Sequence, residues 1–204
     1  FPQKPAFPFG DTFPEREAGQ QPLERAVPES QGISSAHLAA FLKDLALHEN
    51  VDIHQIEEYL KWGELDIVQA KYSILDRGIE DEIIPCCREN GVTIQAYSPL
   101  EMGLLSGTFP RDYKPVGAQI PKKWFQPEQM QAAMDMMDQW KPLCEKYHCT
   151  VANLALSWIL AQGDFLNLLS GSTTVDQIEE NVKSAELELD SQDVVYMREL
   201  AENI

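Results

Sequence analysis

A chain of 204 residues with 44% hydrophobic content can bury one globular core, or one domain with a tail. Its 33 acidic against 16 basic residues give a formal net charge of -17. That balance argues against nucleic acid or an anionic membrane surface as partner, since both demand basic patches, and it works against an anionic cofactor unless local groups overcome the field.

In chain order, residues 1–30 are rich in proline and lack periodicity, so residues 1–33 are expected to form an extended tail. A helix is expected over 34–50, with a Ser N-cap and Leu38, Phe41, Leu42 and Leu45 on one face. A second fits Ile53 to Trp62, stopped by Gly63. Residues 65–69 read as a short strand, Ile79 to Glu89 as a helix broken by Asn90-Gly91, and Val92 to Ala96 as the next strand. The stretch from Tyr97 to Gln126, punctuated by glycines and prolines, reads as a long functional loop. Helices are expected over about 127–147 and 150–162, a strand over 165–169, and closing helices near 175–184 and 191–202. Strands alternating with helices imply parallel βα units, and three such strands are too few to close a barrel.

The four cysteines, Cys86, Cys87, Cys144 and Cys149, show no paired zinc spacing, and vicinal Cys86-Cys87 is poor disulfide geometry. They read as reduced structural thiols with no metal site, which fits a cytoplasmic setting. No apolar run approaches a membrane span of about 18 residues. No basic segment followed by an apolar one opens the chain, so no signal peptide is expected. The first residue is Phe1 rather than Met, so the chain is expected to begin inside a longer one.

Several segments carry a resemblance. Gln69-Ala-Lys-Tyr-Ser73, Pro85-Cys-Cys-Arg-Glu-Asn-Gly91, Tyr97-Ser-Pro-Leu-Glu-Met-Gly-Leu-Leu105, Leu154-Ala-Leu-Ser-Trp158 and Gly171-Ser-Thr-Thr-Val-Asp-Gln-Ile-Glu-Glu-Asn181 together resemble the aldo-keto reductase family, in family order over about 54–204. The implied fold is α/β: the C-terminal half of a (β/α)₈ TIM barrel over 51–204, with about three parallel strands and flanking helices.

In such barrels functional groups sit where strands end and loops begin. Gln69, Tyr97 and Gly171 are each expected at a strand end, and Gly171-Ser172-Thr173 precedes a helix whose N-terminal N–H groups can receive a phosphate. The resemblance implies that Tyr97 stacks on a nicotinamide and Gln69 holds its carboxamide. It places Ser98, Pro99, Leu100, Gly103 and Leu104 along a pyrophosphate, and Gly171, Ser172, Thr173, Gln177, Glu180 and Asn181 around the adenosine end. Members that grip the 2′-phosphate of NADP commonly place Arg or Lys near positions 172–177, and this chain has none there. The expected cofactor is therefore NADP held weakly, with NAD possible, because guanidinium contacts are the strong phosphate grips.

The family's catalytic Tyr, Lys, Asp and His come from the first half of the barrel, and nothing in residues 1–53 resembles them; the Ser-Asn motif expected before the Gln69 strand is also absent. No catalytic residue is therefore assigned, and the chain alone is expected to be inactive, because the developing alkoxide needs a proton donor. Residues 24–45, with Pro28-Glu-Ser-Gln-Gly-Ile-Ser34, resemble instead the leader of class C β-lactamase-like serine hydrolases, but the Ser-x-x-Lys nucleophile motif of that family is absent, so no hydrolase activity is transferred. Three readings follow: a remnant oxidoreductase with part of a dinucleotide site, a carbonyl reductase completed by another chain or by homo-oligomerisation over the open barrel edge, and a non-catalytic interaction or scaffold protein.

Overall fold

The computed structural model describes residues 52–204. The tail over 1–33, the helix expected over 34–50 and the segment resembling a hydrolase leader lie outside the described residues.

Helix α1 (Ile53–Leu60) opens with a reciprocal cap: Gln55 donates its backbone N–H to Asp52 Oδ1, and Asp52 donates its own to Gln55 Oε1. Strand β1 follows at Ile67–Lys71, then α2 (Ile83–Glu89) and β2 (Thr93–Tyr97). After a long connection come α3 (Pro127–Asp138), α4 (Lys141–Tyr147), α5 (Val151–Leu160), β3 (Leu166–Leu169), α6 (Val175–Val182) and α7 (Ser191–Glu202). The three strands pair in parallel in the order β1-β2-β3, with Gln69 opposite Gln95 and Gln95 opposite Asn167. The fold is an unclosed sector of an α/β barrel.

Alternation along the strands sorts the side chains. Val68, Ala70, Ile94, Ala96 and Leu166 are buried in the main core with Ile83, Ile84 and Cys87 of α2, Leu154, Ala155, Trp158 and Ile159 of α5, and Met197 and Ala201 of α7. Burying apolar surface at roughly 25 cal/mol per Å² makes this the face that holds the sheet together. The opposite face carries Ile67, Gln69, Gln95, Tyr97, Asn167 and Leu169; Ile67 and Leu169 stay 49% and 38% exposed there. This is the face that would line the interior of a closed barrel.

Boundaries differ from expectation for identifiable reasons. Strand β1 lies two residues later than the 65–69 segment, because pairing begins at Ile67 opposite Thr93 while Leu65 packs against the core from outside the ladder. Gln69 is therefore in the middle of β1, not at its end. Helix α2 starts at Ile83 rather than Ile79: Pro85 has no N–H to give to the Asp81 carbonyl, so it is accommodated only in a first turn. The expected 127–147 helix is two helices, since Pro142 likewise cannot bond the Asp138 carbonyl; the buried Trp140 sits at the break. Short 3₁₀ turns at Glu101–Ser106, Gly117–Gln119 and Lys123–Phe125 structure the long connection. Among the described residues no helix is long and apolar enough to cross a membrane.

One polar cluster fastens α7 to the segment after β1. Arg198 grips Glu80 in bidentate fashion, at 2.7 and 2.8 Å, while Tyr72 donates its hydroxyl to the same carboxylate at 2.6 Å. The Arg198 guanidinium also lies over the Trp158 ring, 5.2 Å from its centroid. Burial opposes ionisation of Glu80, but hydrogen bonds from Arg198 and Tyr72 outweigh it and hold the carboxyl below its ordinary range. Glu80→Gln is expected to lower stability by about 1–3 kcal/mol at neutral pH, measured by thermal unfolding. Because the folded pKa is depressed, the difference from the wild type should be full above the ordinary carboxylate pKa and vanish as pH falls through the folded value.

Candidate functional site

The C-terminal rim of the sheet opens into a cleft of roughly 660 Å³, a size that suits a small-molecule ligand. One wall is the segment after β2: Tyr97, Ser98, Pro99, Leu100 and Gly103, with Ser106, Thr108 and Phe109 beyond them. The opposite wall is the segment after β3, with Gly171 and Thr173, and the α6 residues Gln177, Glu180 and Asn181. Thr150 and Ala152, at the start of α5, form part of the lining.

The backbone of the first wall is unusual. Ser98, Glu101 and Met102 have φ of 54°, 45° and 53°, and Gly103 and Gly107 are also left-handed. Such conformations cost non-glycine residues of order 1 kcal/mol each and tend to cluster at functional sites. The segment is held from within by Glu101 N–H to the Ser98 carbonyl at 2.9 Å and Gly103 N–H to the Leu100 carbonyl at 3.0 Å, and beneath by the fully buried Leu104 and Leu105. Gly107 sets how closely the wall approaches α5: a Cβ there would meet the Val151 Cβ at 2.9 Å.

The second wall is fixed by side chains. Thr173 donates its backbone N–H to Gln177 Oε1 at 2.8 Å, and Asn181 donates to the hydroxyls of Ser170 and Ser172, each at 3.0 Å. Asn153 donates to the Glu180 carbonyl at 2.7 Å, and Thr150 donates to the Glu180 carboxylate at 3.0 Å, so α6 is tied to the N-terminus of α5. Lys183 lies 2.6 Å from the Glu180 carboxylate, and that hydrogen bond, opposed by slight desolvation, lowers the Glu180 pKa. Among the described residues no Lys or Arg lines the cleft.

The cleft thus collects every residue expected at the site except Gln69, Leu104 and Ser172. Gln69 lies on the same sheet face one row below Tyr97 and donates to Gln95 Oε1 at 3.1 Å. Leu104 is fully buried beneath the wall, so its side chain is a packing group. Ser172 faces an adjoining groove and accepts from Asn181. Sequence reasoning missed Gln95 and Asn167, which complete a row of amides with Gln69; strand alternation counted from the correct register was the signal for them. It also missed the contribution of Thr150, which only the packing of α5 reveals. Among the described residues no cluster of His, Cys, Asp and Glu could hold a metal ion. Burial raises the Cys149 thiol to about 11 and also raises Cys144, so neither is an activated thiolate.

Comparison with known proteins gives concordant results. The profile of the Aldo/keto reductase family matches residues 43–202. The NADH-specific methylglyoxal reductase of Escherichia coli (strain K12) is 55% identical over 153 residues, covering 75% of this chain and 47% of that protein. An aldo-keto reductase of Strobilurus tenacellus is 37% identical over 142 residues, covering 66% and 42% of the two chains. Among solved structures, the glycerol dehydrogenase of Gluconobacter oxydans superposes with a TM-score of 0.66 at 23% identity, covering 72% of this chain and 45% of that one. The chain therefore spans less than half the length of these relatives.

Because Gly107 is both left-handed and in close approach, Gly107→Ala should push the first wall away from α5. A loss of about 1–3 kcal/mol is expected in denaturant unfolding, with larger hydrogen-exchange rates at residues 98–107 than elsewhere.

Proposed function

The chain belongs to the aldo-keto reductase family, and we propose that its cleft is the nicotinamide-dinucleotide half of an oxidoreductase site, with a preference for NAD(H) over NADP(H). The observation that carries this reading is the convergence on one cleft of Tyr97 at the end of β2, the Ser98–Gly103 wall, and the Gly171–Asn181 segment. In this reading Tyr97 offers a flat face to the nicotinamide, Gln69 lies within the adjacent row to engage its carboxamide, and the second wall receives the adenosine. Bound, the dinucleotide would supply the hydride for reduction of a carbonyl compound.

The preference for NAD(H) rests on charge. A 2′-phosphate needs a cation; among the described residues none lines the cleft, and Lys183, at its edge, is engaged by the Glu180 carboxylate at the adenosine end. Gln177 spends its carbonyl oxygen on Thr173 and brings no charge. The Escherichia coli relative, named as NADH-specific, agrees in kind. The catalytic groups that the family resemblance implies belong to the half of the barrel this chain does not match, so the isolated chain binds cofactor without turnover. Titration with NADH and NADPH, followed by tryptophan fluorescence, tests the reading. NADH should bind about tenfold more tightly, and Gln177→Arg should raise NADPH affinity by about tenfold. Absence of quenching by either dinucleotide at millimolar concentration would sink it.

A second reading adds a partner: a polypeptide bearing the preceding βα units completes the barrel and supplies the proton donor. It is favoured by the sheet face left open at Ile67 and Leu169, and by the apolar stripe Val175, Ile178 and Val182 on α6, exposed at 67%, 53% and 61%. Size-exclusion chromatography paired with a carbonyl-reduction assay separates the two. Turnover confined to a larger species supports completion, whereas a stable monomer without turnover supports the cofactor-binding half alone.

A further inference from the structure

Lys71 closes β1 directly opposite Tyr97, which closes β2. Its ammonium lies 2.7 Å from Asp76 Oδ2 and 3.0 Å from Glu101 Oε2. The other carboxylate oxygen of Glu101 accepts from the Ser73 hydroxyl at 2.7 Å, and the Ser73 oxygen in turn accepts from the backbone N–H groups of Leu75 and Asp76. Glu101 is 5% exposed, so its carboxylate has exchanged water for these two partners. The link joins the segment after β1 to the segment after β2, across the C-terminal rim of the sheet.

Neither Lys71 nor Glu101 lines the cleft, but Tyr97, paired with Lys71 across the strands, and the chain neighbours of Glu101 do. Glu101 stands between Leu100 and Met102, both cleft-lining, within the run of left-handed residues that forms the first wall. A wall that stores backbone strain needs external restraint to keep one conformation. The backbone bonds within it are local turns, Leu104 and Leu105 anchor it from below, and Gln119 donates to the Met102 carbonyl at 3.3 Å from the connection that follows. The Glu101 carboxylate is the side-chain tie between the strained centre of the wall and β1. Burial opposes the charge on Lys71, yet hydrogen bonds and attraction from Asp76 and Glu101 outweigh it and raise the Lys71 pKa, so its ammonium is kept charged beside the two carboxyl groups.

We infer that the Lys71–Glu101–Ser73 link is a positioning device for dinucleotide binding: it fixes the first wall of the cleft in its binding-competent shape. Lys71 and Glu101 are positioning residues, acting through Ser98 to Gly103. This rests on the cofactor reading proposed above, and it adds a requirement which that reading does not contain. An equivalent ion pair that served stability alone would leave cofactor affinity unchanged when removed. The Arg198–Glu80 pair, on the α7 side of the molecule, serves as that comparison.

The test uses the full chain, with NADH as probe, and measures Kd and Tm on the same samples. Glu101→Gln keeps a group that can accept from Ser73 but loses the charge facing Lys71. Lys71→Met leaves a buried carboxylate without its cation, so it is the harsher change. Each is expected to weaken NADH binding about tenfold, with the double variant no weaker than the weaker single, because both act through one link. Hydrogen exchange at residues 98–107 should rise in each, and Lys71→Arg should restore most of the affinity. Glu80→Gln should lower Tm while leaving Kd within about twofold. If Lys71→Met does not fold, Glu101→Gln alone decides. Variants that lose Tm but bind NADH with the wild-type Kd would overturn the inference and leave the cofactor reading intact. A wild-type chain that binds neither dinucleotide would overturn both.

Discussion

The parallel pairing of β1, β2 and β3 is the constraint on which the other features depend. With a side-chain period of two, it sends Val68, Ala70, Ile94, Ala96 and Leu166 to the helix-covered core and Gln69, Gln95, Tyr97 and Asn167 to the opposite face. A slip of one residue in any strand would exchange those sets. The core therefore enforces the register, and the register brings the amide row and the aromatic ring onto one surface. Chemistry-bearing residues acquire their positions from groups that never touch a ligand.

Local strain is concentrated where that surface meets the cleft. The wall after β2 departs from ordinary backbone geometry at consecutive non-glycine residues, Glu101 and Met102, and then at Gly103. It keeps that shape between a buried leucine pair below, a close glycine–valine approach at its far end, and the ionic link to β1 at its centre. The second wall has no such strain and is organised by side-chain hydrogen bonds: Asn153 and Asn181 donate, and Gln177 accepts from the Thr173 N–H. The two walls are thus held in shape by different devices.

Electrostatics set a limit on the ligand. A chain with a formal net charge of -17 would receive an anionic ligand only where local donors and dipoles compensate. On the proposed reading, hydroxyls and backbone N–H groups along the Ser98–Gly103 wall would do that for a pyrophosphate. An additional 2′-phosphate would meet the Glu180 carboxylate, whose partner is Lys183.

The sequence by itself determined the alternation of βα units, the three-strand count, most helix spans and the family resemblance, because periodicity, caps and ordered motifs are local properties of the chain. Helix α7, expected over 191–202, is found at Ser191–Glu202. Proline chemistry, readable in principle, decided the late start of α2 and the break before α4. Only the tertiary structure decided where β1 begins, since a run of apolar residues does not say which of them finds a partner strand. The same holds for the site. Tyr97 and the Gly171–Asn181 segment were legible from their motifs, while the mid-strand place of Gln69 and the burial of Leu104 were not. The pairing of Lys71 with Glu101 was equally hidden. Those depend on contacts between residues about thirty apart in sequence, which parallel strand pairing creates and local composition does not encode.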